Sequence, residues 1–282
     1  MLALAGRAAG VLKERGGIAN ARLEAELLLA AVLGLRRLDL YLQFDRPVRT
    51  DELDRYRTLV RRRLRHEPLQ YIVGETGFRR LVLHVDRRVL IPRPETETLV
   101  GEVLGWAVSR NAETALDLGT GSGAIALSLA QEGRWSRIVA TDLSADALDV
   151  ARLNAARHGL TDRVEFRHGD GWQAVLPGER FDVIVSNPPY VSESDRESLA
   201  PEVADWEPAS ALFAAEGGLS MLETLVSGAA VRLNTGGMLA LEVGLGQAEW
   251  VARRAREHGS YTDVRVVRDL TGRDRVVLAG VP

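Results

Sequence analysis

Cysteine is absent from this 282-residue sequence, and lysine occurs once, as Lys13. Without cysteine the chain can form no disulfide, no thiolate nucleophile and no Cys-ligated metal site. The five histidines are scattered, and no two of them have the spacing that places metal ligands on one helix face. We therefore expect no bound metal and no catalysis of the zinc or Ser-His-Asp type.

Long hydrophobic runs are also lacking. No apolar segment approaches the roughly 20 residues that a helix needs to cross a bilayer. Residues 1–17 contain a short apolar patch, but charges interrupt it, whereas a signal peptide carries a continuous apolar block. We interpret residues 1–17 as a helix and predict a cytoplasmic protein without membrane contacts.

Charged residues are plentiful, but their signs are unevenly distributed. Residues 1–85 carry 16 basic and 10 acidic side chains, whereas residues 86–282 carry 20 and 29. Because nucleic-acid binding favours a basic surface, the acidic second part argues against a nucleic-acid substrate. One arginine-rich segment, residues 57–67, is the exception, and a solvated helix face explains it better. The two parts are therefore expected to have different partners.

The first part of the chain has the pattern of short helices. One predicted helix follows Asn20, which favours an N-cap, and precedes Gly34, which favours a helix end. Another begins at Thr50 with an acidic first turn and continues through arginines to Pro68, as the helix dipole favours. Helices with one apolar face each indicate a bundle, so we predict a helical domain over residues 1–72.

A short connector is expected after the bundle. Residues 73–92 contain two apolar segments around Asp86 and Arg87, and they end at prolines. This pattern predicts a β-hairpin connector over residues 73–92, with its strands on either side of Asp86 and Arg87.

Beyond Glu113 the pattern alternates between strands and helices. Strands separated by helix-length segments are typical of βαβ units and a parallel sheet. The last two predicted strands are close enough to pair antiparallel at one edge. We predict an α/β domain over residues 93–282, with a Rossmann-like, mostly parallel sheet and an antiparallel edge. The predicted strands are residues 114–118, 137–141, 163–167, 181–185, 238–243, 261–267 and 274–280.

A glycine-rich turn joins the first of these strands to a helix. Glycines let the backbone turn sharply and approach a ligand, and the helix start presents free N–H groups. Alone this signal is weak, because the same spacing satisfies the dinucleotide-binding fingerprint. We expect the turn to bind a cofactor through Gly119, Thr120, Gly121, Ser122 and Gly123.

Acidic residues near this turn narrow the choice of cofactor. Asp142 ends the second strand, where a carboxylate can accept from the ribose of NAD or of S-adenosylmethionine. Asp117 favours S-adenosylmethionine, because an anion suits an ammonium and a sulfonium and repels a pyrophosphate. Asp170 and Gly171 follow the third strand and are expected to contact the adenine. A solvated loop carboxylate is the alternative interpretation of Asp170.

The fourth strand, residues 181–185, leads into Ser-Asn-Pro-Pro-Tyr. Its carboxyl end is expected beside the glycine turn, where open α/β sheets bind ligands. The side-chain oxygen of Asn187 and the carbonyl of Pro188 can accept both hydrogens of a planar NH2 group. Pro189 stiffens the loop, and the ring of Tyr190 can cover that group. We predict that these four residues are catalytic and bind the substrate, although an ordinary turn is the alternative.

Several segments together resemble the protein-glutamine N5-methyltransferases of the HemK type, which modify peptide chain release factors. The IPRPETE segment, residues 91–97, and a helical domain of this length distinguish the release-factor branch from the ribosomal-protein branch. The segments that carry the resemblance are residues 67–78, 89–100, 116–130, 141–155, 181–191, 207–219 and 269–277.

The resemblance implies that S-adenosylmethionine donates a methyl group to the glutamine amide of a Gly-Gly-Gln motif, which modulates translation termination and leaves S-adenosylhomocysteine. It implies that Asn187 lies close to both cofactor and glutamine, and that residues 1–72 recognise an acidic face of the release factor. This sequence differs from the usual family pattern at the residue expected to contact the adenine. Relatives often carry a large apolar residue where this sequence has Gly171, and Trp172 comes one position later, so either residue is a candidate for that contact.

Other functions stay open from the residues alone. The chain could methylate a ribosomal-protein glutamine, or adenine N6 in a nucleic acid, since the same four residues would hold that exocyclic amine. It could also be a regulatory module that binds S-adenosylmethionine without transfer. An NAD-dependent oxidoreductase is disfavoured, because neither a Tyr-Lys nor a His-Asp pair for hydride transfer is apparent.

Overall fold

A computed structural model describes the backbone of residues 1–282 and the side chains of residues 1–215 and 217–282. Among these residues, no helix combines the length and the apolar character needed to cross a membrane. The chain divides into two compact units, residues 1–75 with 200–206 and residues 76–199 with 207–282.

The elements are numbered in chain order. The helices are α1 (Leu2–Gly16), α2 (Ala21–Leu33), α3 (Asp39–Leu42), α4 (Thr50–Arg63), α5 (Leu69–Val73), α6 (Pro94–Arg110), α7 (Ala124–Glu132), α8 (Ala145–Arg157), α9 (Pro201–Ala204), α10 (Ala209–Leu212), α11 (Leu219–Ala230) and α12 (Ala248–His258). The strands are β1 (Glu75–Phe78), β2 (Leu81–His84), β3 (Thr114–Leu118), β4 (Arg137–Asp142), β5 (Glu165–His168), β6 (Phe181–Ser186), β7 (Leu233–Glu242), β8 (Asp263–Arg268) and β9 (Asp274–Gly280).

The first unit is a helical bundle around a leucine-rich core. Leu12, Leu28, Leu29 and Leu40 are fully buried there, because α1, α2 and α4 each turn one apolar face inward. Tyr56 of α4 shares this core, and its hydroxyl donates to the Ala25 carbonyl at 3.0 Å. The buried tyrosine hydroxyl therefore has a hydrogen-bond partner.

Both predicted helices of the bundle are present, with different ends. The first is α2, which Gly34 ends with a φ of 63°, while the Asn20 side chain makes no capping hydrogen bond among the described residues. The second is α4, which ends at Arg63 and does not continue to Pro68. His66 adopts a φ of 59° there, a left-handed conformation that a helix cannot accommodate.

The chain returns to the first unit at α9. The buried guanidinium of Arg63 forms ion pairs with Glu24 of α2 and with Glu202 of α9, the latter at 2.7 Å. A buried arginine needs such partners, because an unpaired charge would be costly away from water. The sequence patterns gave no indication of this return.

The predicted position of the hairpin turn is wrong. The two-stranded sheet pairs β1 with β2, and the turn between them lies at Arg79 and Arg80. The segment around Asp86 is irregular because the Asp86 carboxylate accepts from the backbone N–H of Arg88 at 3.0 Å. Such an aspartate turn competes with strand pairing. The apolar residues after it, Val89 and Ile91, are buried without forming a strand.

The predicted α/β class is confirmed by the main sheet. Its strand order is β5-β4-β3-β6-β7-β9-β8, parallel from β5 to β7 and antiparallel where β9 pairs with β7 and β8. The predicted antiparallel edge is thus present, with β9 placed inside β8. Strand β7 starts at Leu233, earlier than residue 238, where the prediction began.

Helices cover both faces of this sheet. Ala115 and Val183 point to the face packed with α6, α7 and α8, whereas Leu116 and Ile184 point to the face packed with α11 and α12. This alternation follows from the two-residue period of a strand, and burial on both faces explains the nearly continuous apolar strands. The chain steps from β3 outward to β4 and later returns to the other side of β3 with β6. A crevice is expected at the carboxyl ends of these strands.

Candidate functional site

A cavity of about 310 Å³ lies at the carboxyl ends of β3, β4 and β6. Its lining includes residues 119–122 of the glycine turn, Asp142 at the end of β4, Asp170 with Gly171, and residues 187–189. The fold therefore brings most of the predicted site residues around one cavity. Three predicted site residues do not line it: Asp117, Gly123 and Tyr190.

The backbone conformation of the glycine turn favours glycine at three positions. The φ angles are 76° at Gly119, 55° at Gly121 and 85° at Gly123. Residues that carry a Cβ adopt such positive φ angles only with strain. A Cβ on Gly123 would approach the Leu127 side chain to 2.9 Å, so this glycine lets α7 pack closely. A Cβ on Gly119 or Gly121 would meet no described atom within 4 Å. These two positions border open space on the cavity side.

The Asp117 side chain links the glycine turn to α7. Its Oδ2 accepts from the Thr120 hydroxyl at 2.7 Å and from the backbone N–H of Ala126 at 3.1 Å. The carboxyl is fully buried, and Oδ1 has no hydrogen-bond partner among the described residues. Burial raises the pKa of Asp117 to about 7, the nearby Asp142 charge adds to this, and the two hydrogen bonds oppose it.

Asp142 shapes the turn from the neighbouring strand. Its Oδ2 accepts from the backbone N–H of Gly121 at 2.8 Å, and its Oδ1 accepts from that of Ser144 at 2.8 Å. An ionised carboxylate has about four acceptor positions, so two remain for a ligand in the cavity. Asp142 can hold the turn and a ligand hydroxyl at the same time.

Gly171 and Trp172 lie in different surroundings. Asp170 and Gly171 line the cavity, whereas the Trp172 indole donates to the Thr224 carbonyl of α11 at 3.0 Å. The Arg232 guanidinium lies 4.7 Å above the Trp172 ring, a cation–π arrangement. Trp172 is thus engaged with α11, and Gly171 is the residue of this pair that faces the cavity.

The Asn187 loop leaves β6 at the cavity. Asn187 Nδ2 donates to the Thr96 hydroxyl of α6 at 3.2 Å, and both residues line the cavity with Pro188. The carbonyl of Tyr190 accepts from the Gln247 side chain at 3.3 Å, which fixes the far end of the loop. Burial raises the pKa of Tyr190 to about 12, and the nearby Glu242 carboxylate contributes.

Thr96 was not predicted as a site residue, and neither was the buried carboxyl of Glu242 expected near it. Thr96 lies in the first turn of α6, two residues after Pro94, which begins the helix. Glu242 ends β7, and its side chain is buried with 1% exposure. Burial raises the pKa of Glu242 to about 7, while hydrogen bonding from Thr96 and the positive charge of Arg275 oppose that rise. A single acidic residue within the otherwise apolar segment MLALEV was the available signal.

One residue of the cavity lining, Arg93, also forms an ion pair that was not predicted. Arg93, just before α6, forms an ion pair with the buried Glu207 carboxylate at 2.7 Å. Met221 and Leu225 of α11 add apolar surface to the cavity. No group of three or more histidine, aspartate and glutamate side chains within the described part of the chain could hold a metal ion.

The sheet, the glycine turn and the cavity are those of the methyltransferase class with a Rossmann-like sheet. Residues 101–204 match the family described as methyltransferase small domain, and residues 4–74 match the PrmC N-terminal domain. A solved structure of this fold is the 16S rRNA N2 G1207 methyltransferase (RsmC) of Thermus thermophilus in complex with AdoMet and guanosine. It is 19% identical, with a TM-score of 0.55 over 74% of this chain and 50% of that one.

Curated relatives extend the similarity to nearly the whole chain. The release factor glutamine methyltransferase of Geobacter sulfurreducens is 44% identical over 95% of this chain and 92% of its own length. The protein of the same description from Chlorobaculum tepidum is 42% identical over 90% of this chain and 88% of its own length. The chain belongs to the release factor glutamine methyltransferase family.

Proposed function

We propose that this chain transfers a methyl group from S-adenosylmethionine to the side-chain amide nitrogen of a glutamine in a peptide chain release factor. The observation that carries the proposal is the position of Asn187 and Pro188. These residues line the cavity that the glycine turn and Asp142 also line. An amide acceptor and a methyl donor would therefore meet in one enclosed space. The names of the curated relatives support the choice of protein substrate.

The residues around the cavity fit S-adenosylmethionine. Gly119 and Gly121 border open space, which lets the backbone approach a ligand. Asp142 keeps two acceptor positions for ribose hydroxyls, and Asp170 with Gly171 would lie against the adenine. Asp117 does not line the cavity, but it holds Thr120, which does. We assign no metal to the reaction.

The bound cofactor supplies an electrophilic methyl group on a sulfonium. Asn187 Oδ1 and the Pro188 carbonyl would accept the two amide hydrogens of the glutamine and orient its nitrogen for attack. The S–CH3 bond would break as the N–CH3 bond forms, leaving the neutral thioether, and one of the amide protons would leave to solvent. The partial negative charges of the two accepting oxygens also stabilise the positive charge that grows on the nitrogen during alkylation. Positioning of this kind supplies much of the acceleration, because the leaving group is already good. The contact of the Tyr190 ring with the amide stays a prediction.

The helical domain has a separate task in this proposal. We assign residues 1–72 to recognition of the release factor, residues 73–92 to the connector and residues 93–282 to methyl transfer. The excess of basic side chains in residues 1–85 suits an acidic protein surface. We place this activity in the cytoplasm, where translation termination takes place.

The test is a transfer assay with methyl-labelled S-adenosylmethionine and purified release factors. We expect label on the glutamine of the Gly-Gly-Gln motif, located by mass spectrometry as one added methylene mass. A release factor with Gln→Ala at that position is the matched control and should stay unlabelled. Label on ribosomal protein or nucleic acid in parallel reactions, with none on release factors, would overturn the proposal.

A further inference from the structure

We propose that Gln247 is a positioning residue for methyl transfer. Its side-chain amide holds the Asn187 loop, residues 187–190, so that the Pro188 carbonyl keeps facing the acceptor nitrogen. This inference rests on the proposed function for the identity of the acceptor. Gln247 lies outside the Asn-Pro-Pro-Tyr motif, directly before α12 and 57 residues after Tyr190.

The Gln247 side chain joins three backbone segments. Its Nε2 donates to the carbonyl of Gly217 at 2.6 Å and to that of Tyr190 at 3.3 Å. Its Oε1 accepts from the backbone N–H of Gly244 at 2.8 Å. Both amide hydrogens are thus used, and a flipped amide would place its oxygen against two carbonyls. The three partners therefore fix the orientation of the Gln247 amide.

The segment directly before α11 packs on the Asn187 loop. A Cβ on Gly218 would lie 2.7 Å from the Pro189 carbonyl oxygen and 2.8 Å from Tyr190 Cα, so only a glycine allows this approach. Residues 212–214 of the same segment pair with Val191, which donates one backbone hydrogen bond of 3.0 Å and accepts another of the same length. The loop and this segment are therefore close enough for one side chain to bond to both.

The Asn187 loop is then held at both ends. At the end of β6, the buried Ser186 hydroxyl donates to the Leu118 carbonyl of β3 at 2.7 Å. Between Ser186 and Tyr190, the two proline rings fix two backbone φ angles. Few rotations remain, so anchoring Tyr190 also sets the direction of the Pro188 carbonyl. Without the Gln247 hydrogen bonds, that carbonyl would be free to turn away from the acceptor.

Gln247→Met tests the inference, with Glu249→Met as the matched control. Methionine has a similar length but cannot donate to the two carbonyls. Glu249 lies in the first turn of α12, where its exposed side chain pairs with Arg256. We expect Gln247→Met to lower kcat on release factor about tenfold or more, because a displaced acceptor reacts slowly. The affinity for S-adenosylhomocysteine, measured by calorimetry, should change less than about threefold, as should both quantities in the control.

Gln247→Glu adds a readout that a purely structural role would not change. An ionised carboxylate cannot donate, whereas a protonated carboxyl can donate to one of the two carbonyls. We therefore expect the ratio of its kcat to the parent kcat to rise as the pH falls from about 8 to about 6. The parent measured at each pH cancels the titration of other groups, and the same ratio for Gln247→Met should stay constant. A ratio for Gln247→Glu that does not depend on pH would contradict the donor role.

Hydrogen exchange measured by mass spectrometry gives a readout that needs no turnover. The N–H groups of Val191 and Ala214 report on the loop, because they bond between the loop end and the segment before α11. We expect both to exchange faster in Gln247→Met than in the parent or in Glu249→Met. Unchanged exchange, or a kcat within about twofold of the parent in Gln247→Met, would overturn the inference. If the parent labels no release factor, the proposed function fails, and the exchange measurement still decides whether Gln247 holds the loop.

Discussion

At the scale of single residues, the site depends on carboxyl groups held away from water. Asp117 and Glu242 are both buried, and burial raises the pKa of each to about 7. A buried charge is costly unless neighbours hydrogen-bond to it. Asp117 has such neighbours in Thr120 and α7. Asp117 thus holds Thr120, which lines the cavity.

Asn187→Ala should abolish turnover and keep the fold. The substitution removes the acceptor oxygen that we assign to the glutamine amide, and loss of one such preorganised group costs about 10²–10³ in kcat. Cofactor affinity, measured by calorimetry, should change much less. Asn234→Ala is the matched control, because Asn234 bonds to Asp182 at the opposite end of the sheet. Near-normal kcat in Asn187→Ala would contradict the assigned role.

Glu242→Gln should change how stability depends on pH. The folded protein binds a proton at Glu242 up to about pH 7, whereas the unfolded chain releases it near the ordinary glutamate pKa of 4.5. The parent should therefore lose stability as pH rises through this window, by at most about 1.4 kcal/mol per pH unit. The variant lacks this slope, and the contribution of Asp117 cancels between the two proteins. Urea unfolding at about pH 5 and about pH 7 measures the difference. Parallel pH profiles for parent and variant would contradict the raised pKa.

At the scale of elements, the glycines of the turn between β3 and α7 have different roles. One is needed for the packing of α7, and another leaves space for a ligand. These glycines have similar backbone angles but different surroundings. Gly123 packs against the Leu127 side chain, whereas Gly121 borders open space. Substitutions at the two positions should therefore have different consequences.

Gly123→Ala should mainly destabilise the fold, and Gly121→Ala should mainly weaken cofactor binding. Both substitutions strain a positive φ by about 1 kcal/mol. Gly123→Ala adds a clash with Leu127, whereas Gly121→Ala adds a methyl group where the cofactor is expected. Thermal unfolding and calorimetry on both variants test this separation. A lower melting temperature for Gly121→Ala than for Gly123→Ala would contradict it.

Helix α8 joins the hairpin to the same turn through Asn154. Its Nδ2 donates to the carbonyls of His84 and Ser122 at 3.0 and 2.9 Å, and its Oδ1 accepts from His84 N–H at 2.7 Å. Asn154 is fully buried, and Ser122 is buried with 2% exposure.

Asn154→Ala should destabilise the chain by about 2–4 kcal/mol, because it leaves several buried polar groups without partners. Cofactor affinity should also fall, since Ser122 belongs to the glycine turn. Chemical unfolding and calorimetry measure the two effects, with exposed Ser109→Ala as the control. Unchanged stability in Asn154→Ala would contradict the stabilising role assigned to the hydrogen bonds of the Asn154 side chain.

At the scale of the whole molecule, the α/β sheet could be predicted because each βαβ unit is local in sequence. The glycine turn, Asp142 and Asn187 follow successive strands, so the parallel arrangement itself places them at one edge. Thr96 could not be found this way. Thr96 is 91 residues from Asn187 and reaches it through α6 packing. The hairpin turn was misplaced because the aspartate turn at Asp86 overrides the apolar pattern.

The most direct measurement is a crystal structure of this chain with S-adenosylhomocysteine and a release-factor segment that contains Gly-Gly-Gln. We predict that the glutamine side-chain nitrogen lies about 2.7–3.2 Å from both Asn187 Oδ1 and the Pro188 carbonyl, facing the cofactor sulfur. A glutamine bound elsewhere, or an Asn187 whose amide nitrogen faces the substrate, would contradict the account.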